Sequence, residues 1–568
     1  MMTAAVLIRQ PQLRVPARTT RRLPLWSWAV LAGVSLLVLS PFASLLLTAA
    51  EGDAEIWPHL AANVLPAALR ETALLLAGVA LLTGVIGVGT AWLVTAHRFP
   101  GRNFLAWLLP LPLAVPTYIT AYVYVELFDS AGPVQMALRG AMGWTSRNDY
   151  WFPEVRSLPG AVVVMSFVLY PYVYMTARTM FLTQSACMVE VARTLGASRG
   201  MLFRTVALPL ARPALAVGLS LALLEALNDI GASEYLGVRT LTVSVFTTWL
   251  NRGSLPGAAQ IACFMLAVVI GLVWLERRGR RDRRYALSTR RSRVAQPVTL
   301  PRWGGLAALA ACALPVLLGF GIPMGFLIGQ VAERGLLSQV DGTFVWHLLT
   351  TVALAAAATL VALCLGIVVV TASRLARGGF AGSTQTIAGL GYAVPGTVLA
   401  LGLFGPLVGV DNALNTLWRA ATGERLGLVL MGSGAAIVIA YTIRFLPIST
   451  GSLAAGLDRV SPGIEDAART LGARPRELVL RVQLPLLRPA LASAALLVFV
   501  DCLKELPATL LLRPLNLETL ATLVYGHAAR GQFENGALAA LLIVLVGIVP
   551  VIQLTRGAET RRDRASHE

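Results

Sequence analysis

Charge is what this sequence has least of. Only 13% of its 568 residues are Asp, Glu, Lys or Arg, against roughly 25% in an average soluble domain. A chain of this length cannot wet a water-facing surface on so few charges. With 56% hydrophobic residues and a mean hydropathy of +0.70, the sequence excludes a disordered tail, a collagen and a water-soluble enzyme. Lysine is almost missing: Lys504 stands alone, and the other 46 of the 47 basic residues are Arg. A P-loop needs GxxxxGK[ST], whose Lys reaches the phosphates. Lys504 follows Leu503, so no such motif is possible and the chain is not expected to hydrolyse ATP by that route. Cysteine is sparse and scattered (Cys187, Cys263, Cys312, Cys364, Cys502) with no CxxC pair, which suits small apolar packers better than a metal centre or disulfide framework. The five histidines have no metal-ligand spacing.

Long apolar runs are abundant. A membrane span needs about 20 mostly apolar residues, and twelve windows qualify: 26–50, 72–96, 104–128, 160–181, 214–236, 256–275, 304–331, 347–371, 386–410, 427–451, 490–512 and 536–555. The windows 214–236 and 490–512 end in acidic clusters. Arg14, Arg18, Arg21 and Arg22 precede the first run, which is longer than the 7–15 residues of a signal-peptide core and is read as a retained span.

The net charge of +18 would suggest nucleic acid in a soluble chain. Here the excess of Lys and Arg in short cytoplasmic loops explains it, and no nucleic-acid partner is expected. With the N-terminus inside, the inner segments 1–25, 97–103, 178–212, 276–303, 373–378, 444–489 and 556–568 hold 35 basic residues and the outer ones 12. The reading is an all-α, multi-pass membrane protein with both termini in the cytoplasm.

The chain repeats itself at an offset of 276. VEVARTLGASRGMLFRTVALPLARPAL (189–215) matches EDAARTLGARPRELVLRVQLPLLRPAL (465–491). The register pairs Gly196 with Gly472, Pro209 with Pro485, Pro171 with Pro447, Glu225 with Asp501 and Asp229 with Glu505. Six spans per copy is an even number, so both copies face the same way, unlike an inverted-repeat carrier. The expected organisation is a first half over 1–275, an Arg-rich cytoplasmic linker over 276–303 and a second half over 304–568. The best-matched stretch is not a span but a polar inner loop, about 183–213 and 453–489. Each copy reads as a short helix, a Gly that ends it and a second helix closed by Leu-Pro. Such a knob suits docking in a partner's groove.

These loops resemble the signature of integral-membrane permease subunits of bacterial ABC importers: an EAA, a Gly four residues on and a later Leu-Pro. Half one has Glu190-Val191-Ala192, Gly196 and Leu208-Pro209; half two has Asp466-Ala467-Ala468, Gly472 and Leu484-Pro485. Val191 replaces an Ala, and Asp466 stands for Glu with Glu465 just before it. The resemblance covers nearly the whole chain and is closest to fused two-half iron(III) permeases, through LPLAVPTYITAYVY, DSAGPVQMALRG, YWFPEVRSLPGA, LYPYVYMTAR and LEALNDIGASEYLGV. It implies about twelve transmembrane helices as two tandem six-helix halves in a bacterial inner membrane, with an EAA-type loop in each. It implies two copies of a separate ATPase that uses ATP and Mg, a periplasmic or lipid-anchored binding protein outside, and no cofactor on this chain. Glu190, Ala192, Gly196, Pro209, Asp466, Ala468, Gly472 and Pro485 are then the ATPase-coupling residues. Fused permeases for thiamine share the duplication, and an ion-gradient-driven carrier is the alternative of another class.

Charged groups at membrane depth default to functional hypotheses. Glu225 and Asp229 lie four apart on one helical face, and Asp501 and Glu505 repeat the spacing beside Lys504. Hard cations such as iron(III) favour carboxylate and phenolate oxygen, so these four are the candidate substrate path, with Glu126 and Glu234 at comparable span ends. The bland alternative is a wet outer interface with Lys504 neutralising a neighbour. Tyr118, Tyr122, Tyr170, Tyr172 and Tyr174 are expected to be packing or an interfacial belt. Pro116 and Pro395 interrupt two spans in matching AVP contexts. Trp144, Tyr150, Trp151 and Phe152, in the outer loop 129–158, suit either binding-protein docking or the bilayer surface.

Overall fold

The computed structural model describes residues 25–183, 198–281, 297–376 and 380–567. Twelve helices organise it. Those of the first half are α1 (Leu25–Glu51), α2 (Leu65–Ala96), α3 (Thr117–Phe128), α4 (Leu158–Thr183), α5 (Leu208–Asn228) and α6 (Leu255–Arg281). Those of the second are α7 (Arg302–Glu333, with a π turn inside it), α8 (Gly342–Ala376), α9 (Gly396–Thr422), α10 (Ala435–Leu457), α11 (Arg488–Leu503) and α12 (Ala537–His567). Among the described residues ten helices are long and apolar enough to cross a membrane, and two sharply bent pairs bring the number up to twelve. The β-structure among them is a two-stranded parallel pair, His97–Arg98 with Val298–Thr299. It ties the end of α2 to the chain entering the second half.

Proline sets the irregularities. Pro116 and Pro395 do not bend a continuous helix, as the span windows imply; each sits just before a new one. Val115 and Val394 are extended (ψ 117° and 123°), and both prolines take ψ 142°. A proline ring disfavours the helical region for the residue before it, so the same AVP sequence breaks the chain at the same point in both halves. Four π turns, Leu60–Val64, Phe203–Ala207, Leu317–Gly321 and Leu478–Gln483, each end two residues before a proline: Pro66, Pro209, Pro323 and Pro485. The missing N–H and the ring clash fall on the carbonyl four residues back, inside the turn, and the wider i→i+5 pattern absorbs them.

The halves exchange their first spans. α1 packs along α9 and Phe380–Ala388 of the second half, with Ser35 Oγ 3.2 Å from Thr384 Oγ1 and Gly402 against the backbone of Pro41. Reciprocally, α7 lies against the first half, where Tyr124 Oη donates to the Leu318 carbonyl at 2.6 Å. One apolar core runs through both halves from Leu31 to Val544, so the molecule is a single unit.

On the face carrying loop 129–158, Trp144 stacks on Tyr150 (4.7 Å, 8°) and Phe152 packs beside Phe128. Trp151 alone of the four expected aromatics is exposed, at 85%. Asp149 accepts the N–H of Ser146 (2.8 Å) and Thr145 (2.9 Å), bonds that hold its carboxyl below the usual carboxylate range. Asp411 organises the equivalent region of half two. Fully buried, it accepts N–H bonds from Val429 (3.1 Å), Leu430 (2.8 Å) and Met431 (3.0 Å). Hydrogen bonds to a charged group contribute about 1.5–3 kcal/mol each. Asp411→Ala is therefore expected to lower the melting temperature and open residues 423–434 to proteolysis; an unchanged digestion pattern would count against this latch.

Candidate translocation site between the halves

Two helices end early, and their ends meet. The windows 214–236 and 490–512 are not continuous spans: α5 stops at Asn228 and α11 at Leu503, each followed by a six-residue helix, Ile230–Tyr235 and Pro507–Leu512. Asp229 leaves the helical conformation (ψ 102°) and caps the next helix by accepting the Ala232 N–H at 2.8 Å. Glu505 does the same more weakly, accepting the Ala508 N–H at 3.3 Å. The acidic pairs thus sit in the breaks.

Between these breaks lies a cavity of about 90 Å³ bordered by Glu225, Asn228 and Asp229 of one half and Arg444, Asp501, Lys504 and Glu505 of the other. All four carboxylates expected from the repeat line it. They are not at a wet outer edge: Asp229 is 8% and Glu505 4% exposed, with Glu225 and Asp501 partly so. Lys504 Nζ is 2.8 Å from Asp501, and Arg444 Nη1 is 3.5 Å from Glu505. Thr117, just after Pro116, donates to Asp229.

The halves are joined through polar atoms here. Asn228 Oδ1 accepts from Gly396 N (2.7 Å) and Arg444 Nη1 (3.2 Å), both of half two, and Tyr392 Oη donates to Glu225 at 3.2 Å. Gly396 has no room for a side chain, because a Cβ there would stand 2.6 Å from Glu505 Oε1 and 2.7 Å from Arg444 Nη1. The repeat is chemically uneven. Counting back 276 residues, Lys504 corresponds to Asn228 and Arg444 to Val168, which lines the same cavity. Both cations therefore come from the second half.

Arg444 is the residue that sequence reasoning missed. It was counted with the basic inner segment 444–489, whereas it is 8% exposed on α10 in the cavity wall. The available signal was an Arg inside the apolar run YTIRFLPI. The tyrosines form no interfacial belt. Tyr170 Oη donates to the Leu109 carbonyl (2.8 Å), Tyr174 Oη to that of Ala106 (3.0 Å), and Tyr118, Tyr122, Tyr170 and Tyr174 are all buried. Glu126 and Glu234 lie outside the cavity lining, paired with Tyr235 (2.9 Å) and Tyr525 (2.8 Å). No group of three His, Cys, Asp or Glu side chains among the described residues is arranged to hold a metal ion.

In the second half the polar loop forms the expected knob. Ser461 caps helix Pro462–Thr470, and the helix ends on Gly472 at φ +85°. Gly472 N–H meets the Arg469 carbonyl and Ala473 N–H that of Ala468, both at 3.0 Å, a Schellman pair. The buried acid is Glu465, not Asp466. Glu465 is 5% exposed, 3.2 Å from Arg374 Nε of α8, and accepts from Gln483 Nε2 at 3.2 Å. Asp466 is half-exposed beside Arg469 (3.3 Å). Ala468 is half-buried, whereas Leu471 (88%) and Pro485 are exposed. Of the half-one residues, Pro209 opens α5, and Glu190, Ala192 and Gly196 lie outside the described residues.

Duplicated, multi-pass, with exchanged first spans and a charged cavity between the halves, the molecule has the build of a membrane transport subunit. The chain belongs to the family of binding-protein-dependent transport system inner membrane components, whose model matches residues 83–283 and 371–564. It is 25% identical over 552 residues to the Fe(3+)-transport system permease protein FbpB 2 of Haemophilus influenzae, covering 95% of this chain and 99% of that one. The sulfate transport system permease protein CysT of Escherichia coli is 28% identical over 249 residues, 42% of this chain and 86% of its own. The molybdenum transport system permease protein ModB of the same organism is 30% identical over 201 residues, 34% of this chain and 84% of its own. The chain is an ABC permease of a multi-pass type, and its family implies an ATPase and a substrate-binding protein as partners.

Proposed function

We propose that this chain is the permease of an ATP-driven importer for iron(III), both halves enclosing one translocation path. The carrying observation is the charge of the cavity: four carboxylates, Glu225, Asp229, Asp501 and Glu505, against two cations, Arg444 and Lys504. With all six ionised the wall is negative. An oxyanion such as sulfate or molybdate would be repelled there, whereas a hard trivalent cation is attracted and finds oxygen ligands. The full-length likeness to an iron(III) permease points the same way, while the sulfate and molybdenum relatives match one half's length.

The engine is supplied from outside. Two copies of an ATPase bind, one beneath each loop. Closing on ATP and Mg, they pull on Glu190, Ala192, Gly196 and Pro209 in one half and on Asp466, Ala468, Gly472 and Pro485 in the other. The loops, the linker 276–303 and both termini face the cytoplasm, and a binding protein delivers substrate at the opposite face. The half boundaries are those of the repeat, 1–275 and 304–568.

Labelled iron(III) uptake in iron-starved cells, with and without this chain, tests the reading, with molybdate, sulfate and thiamine uptake measured in parallel. Loss of iron uptake alone, restored by the chain, is expected. Loss of an oxyanion or of thiamine instead would overturn the substrate and leave the importer standing.

A further inference from the structure

The cavity contains one buried side-chain atom that lacks a hydrogen-bond partner. Tyr118 is 4% exposed and lines the cavity, and its hydroxyl is the only such orphan among the described residues that line it. Buried polar groups are nearly always paired, and an exception asks for a reason. Three hydroxyls around the cavity do have partners: Thr117 donates to Asp229, Tyr392 to Glu225, and Tyr441 meets Thr509 Oγ1 at 2.5 Å.

The position of Tyr118 is fixed from two sides. It follows the Pro116 break by two residues, on the first turn of α3. Gly231, two residues after Asp229, packs so closely that a Cβ there would stand 2.8 Å from Tyr118 Cβ and 3.0 Å from Leu506 Cδ2. Asp229 of its own half and Glu505 of the other line the same cavity as the ring.

We infer that Tyr118 Oη, Asp229 and Glu505 form a three-oxygen subsite for a hard trivalent cation in transit, contributed by both halves. The inference rests on reading the cavity as a cation path. As the iron(III)–oxygen bond forms, the phenol releases its proton to solvent and no electron is transferred, so that three negative oxygens meet a 3+ ion. The apo arrangement leaves the hydroxyl orphaned because its partner is the substrate. A site assembled from two halves also disperses when they move apart, which a path requires and a resident metal centre does not.

The test uses the purified chain assembled with its ATPase in lipid nanodiscs and titrated with ferric nitrilotriacetate. A saturable visible phenolate-to-iron(III) charge-transfer band is expected in the wild-type protein and in Tyr170→Phe, and is expected to vanish in Tyr118→Phe. Iron binding by Tyr118→Phe should weaken roughly tenfold or more, the scale found when even an outer-shell metal partner is removed. Its melting temperature should not fall, because the hydroxyl loses no bond, whereas Tyr170→Phe forfeits its bond to Leu109 and should melt lower. A band that survives in Tyr118→Phe overturns the subsite. So does a wild-type protein without a band whose Tyr118→Phe variant imports iron at the normal rate, which leaves the cation path intact. A wild-type protein that imports an oxyanion and no iron overturns the path and the subsite together.

Discussion

Arg444→Met is expected to destabilise the protein by about 3–5 kcal/mol, the cost of removing one partner of a buried ion pair, and to abolish uptake. The arginine is the only cation within ion-pair distance of Glu505 among the described residues, and Glu505 is 4% exposed. Without it the carboxylate keeps backbone N–H groups of the next helix, that of Ala508 at 3.3 Å, and no cation. Asn228 would retain the Gly396 N–H at 2.7 Å but lose its second donor, so the junction between the halves loosens at the same step. Replacing a buried pair by neutral groups of similar volume is often neutral or stabilising. The double variant Arg444→Met/Glu505→Gln is therefore expected to recover most of the melting temperature and none of the uptake. That separation distinguishes a structural pair from a transport site. An Arg444→Met protein that melts and transports like the wild type would remove Arg444 from both roles.

What the sequence made legible was whatever depends on short-range pattern. Apolar runs gave the span count to within the two bent pairs, and the offset of 276 pointed to the second loop and to all four cavity carboxylates. The knob of half two was readable because its cap, helix and terminating glycine are neighbours in the chain. Contacts between distant segments were not readable. Nothing in Leu25–Glu51 announces that it packs on α9 of the other half as well as on α6 of its own. Arg444 was misplaced because a tally by segment cannot tell a charge at a span's end from one in its wall. The loop's buried carboxylate stands one position before the one that the repeat aligns. Aligning the repeats sets Asp466 opposite Glu190, but one residue is about 100° of helix, and Glu465 lies on the face turned to Arg374 and Gln483. The first half has Val189 and Ala207 at those two places, neither of which carries the polar side chain of this tether.

That tether makes Gly472 the most informative position in the second loop. Glu465 and Arg374 fix the helix from the membrane side, and the Schellman pair at Gly472 sets the direction in which the chain leaves it. At φ +85° a branched L-residue is strained by roughly 1–2 kcal/mol, although no atom lies within 4 Å of the place its Cβ would take. The strain is therefore local, and the melting temperature of Gly472→Val should stay close to that of the wild type. An energy of one to two kcal/mol moves an equilibrium by a factor of about 5–30. Uptake is expected to fall by about that factor while the ATPase continues to turn over, because the docked conformation of the knob is depopulated. Asparagine tolerates the left-handed region far better than valine, so Gly472→Asn should retain most of the transport. Uptake and ATP hydrolysis measured together in proteoliposomes distinguish the outcomes. Valine and asparagine variants that transport equally well would mean that this turn does not transmit the ATPase's movement. A valine variant that loses hydrolysis as well as uptake would make the knob a docking element rather than a coupling one.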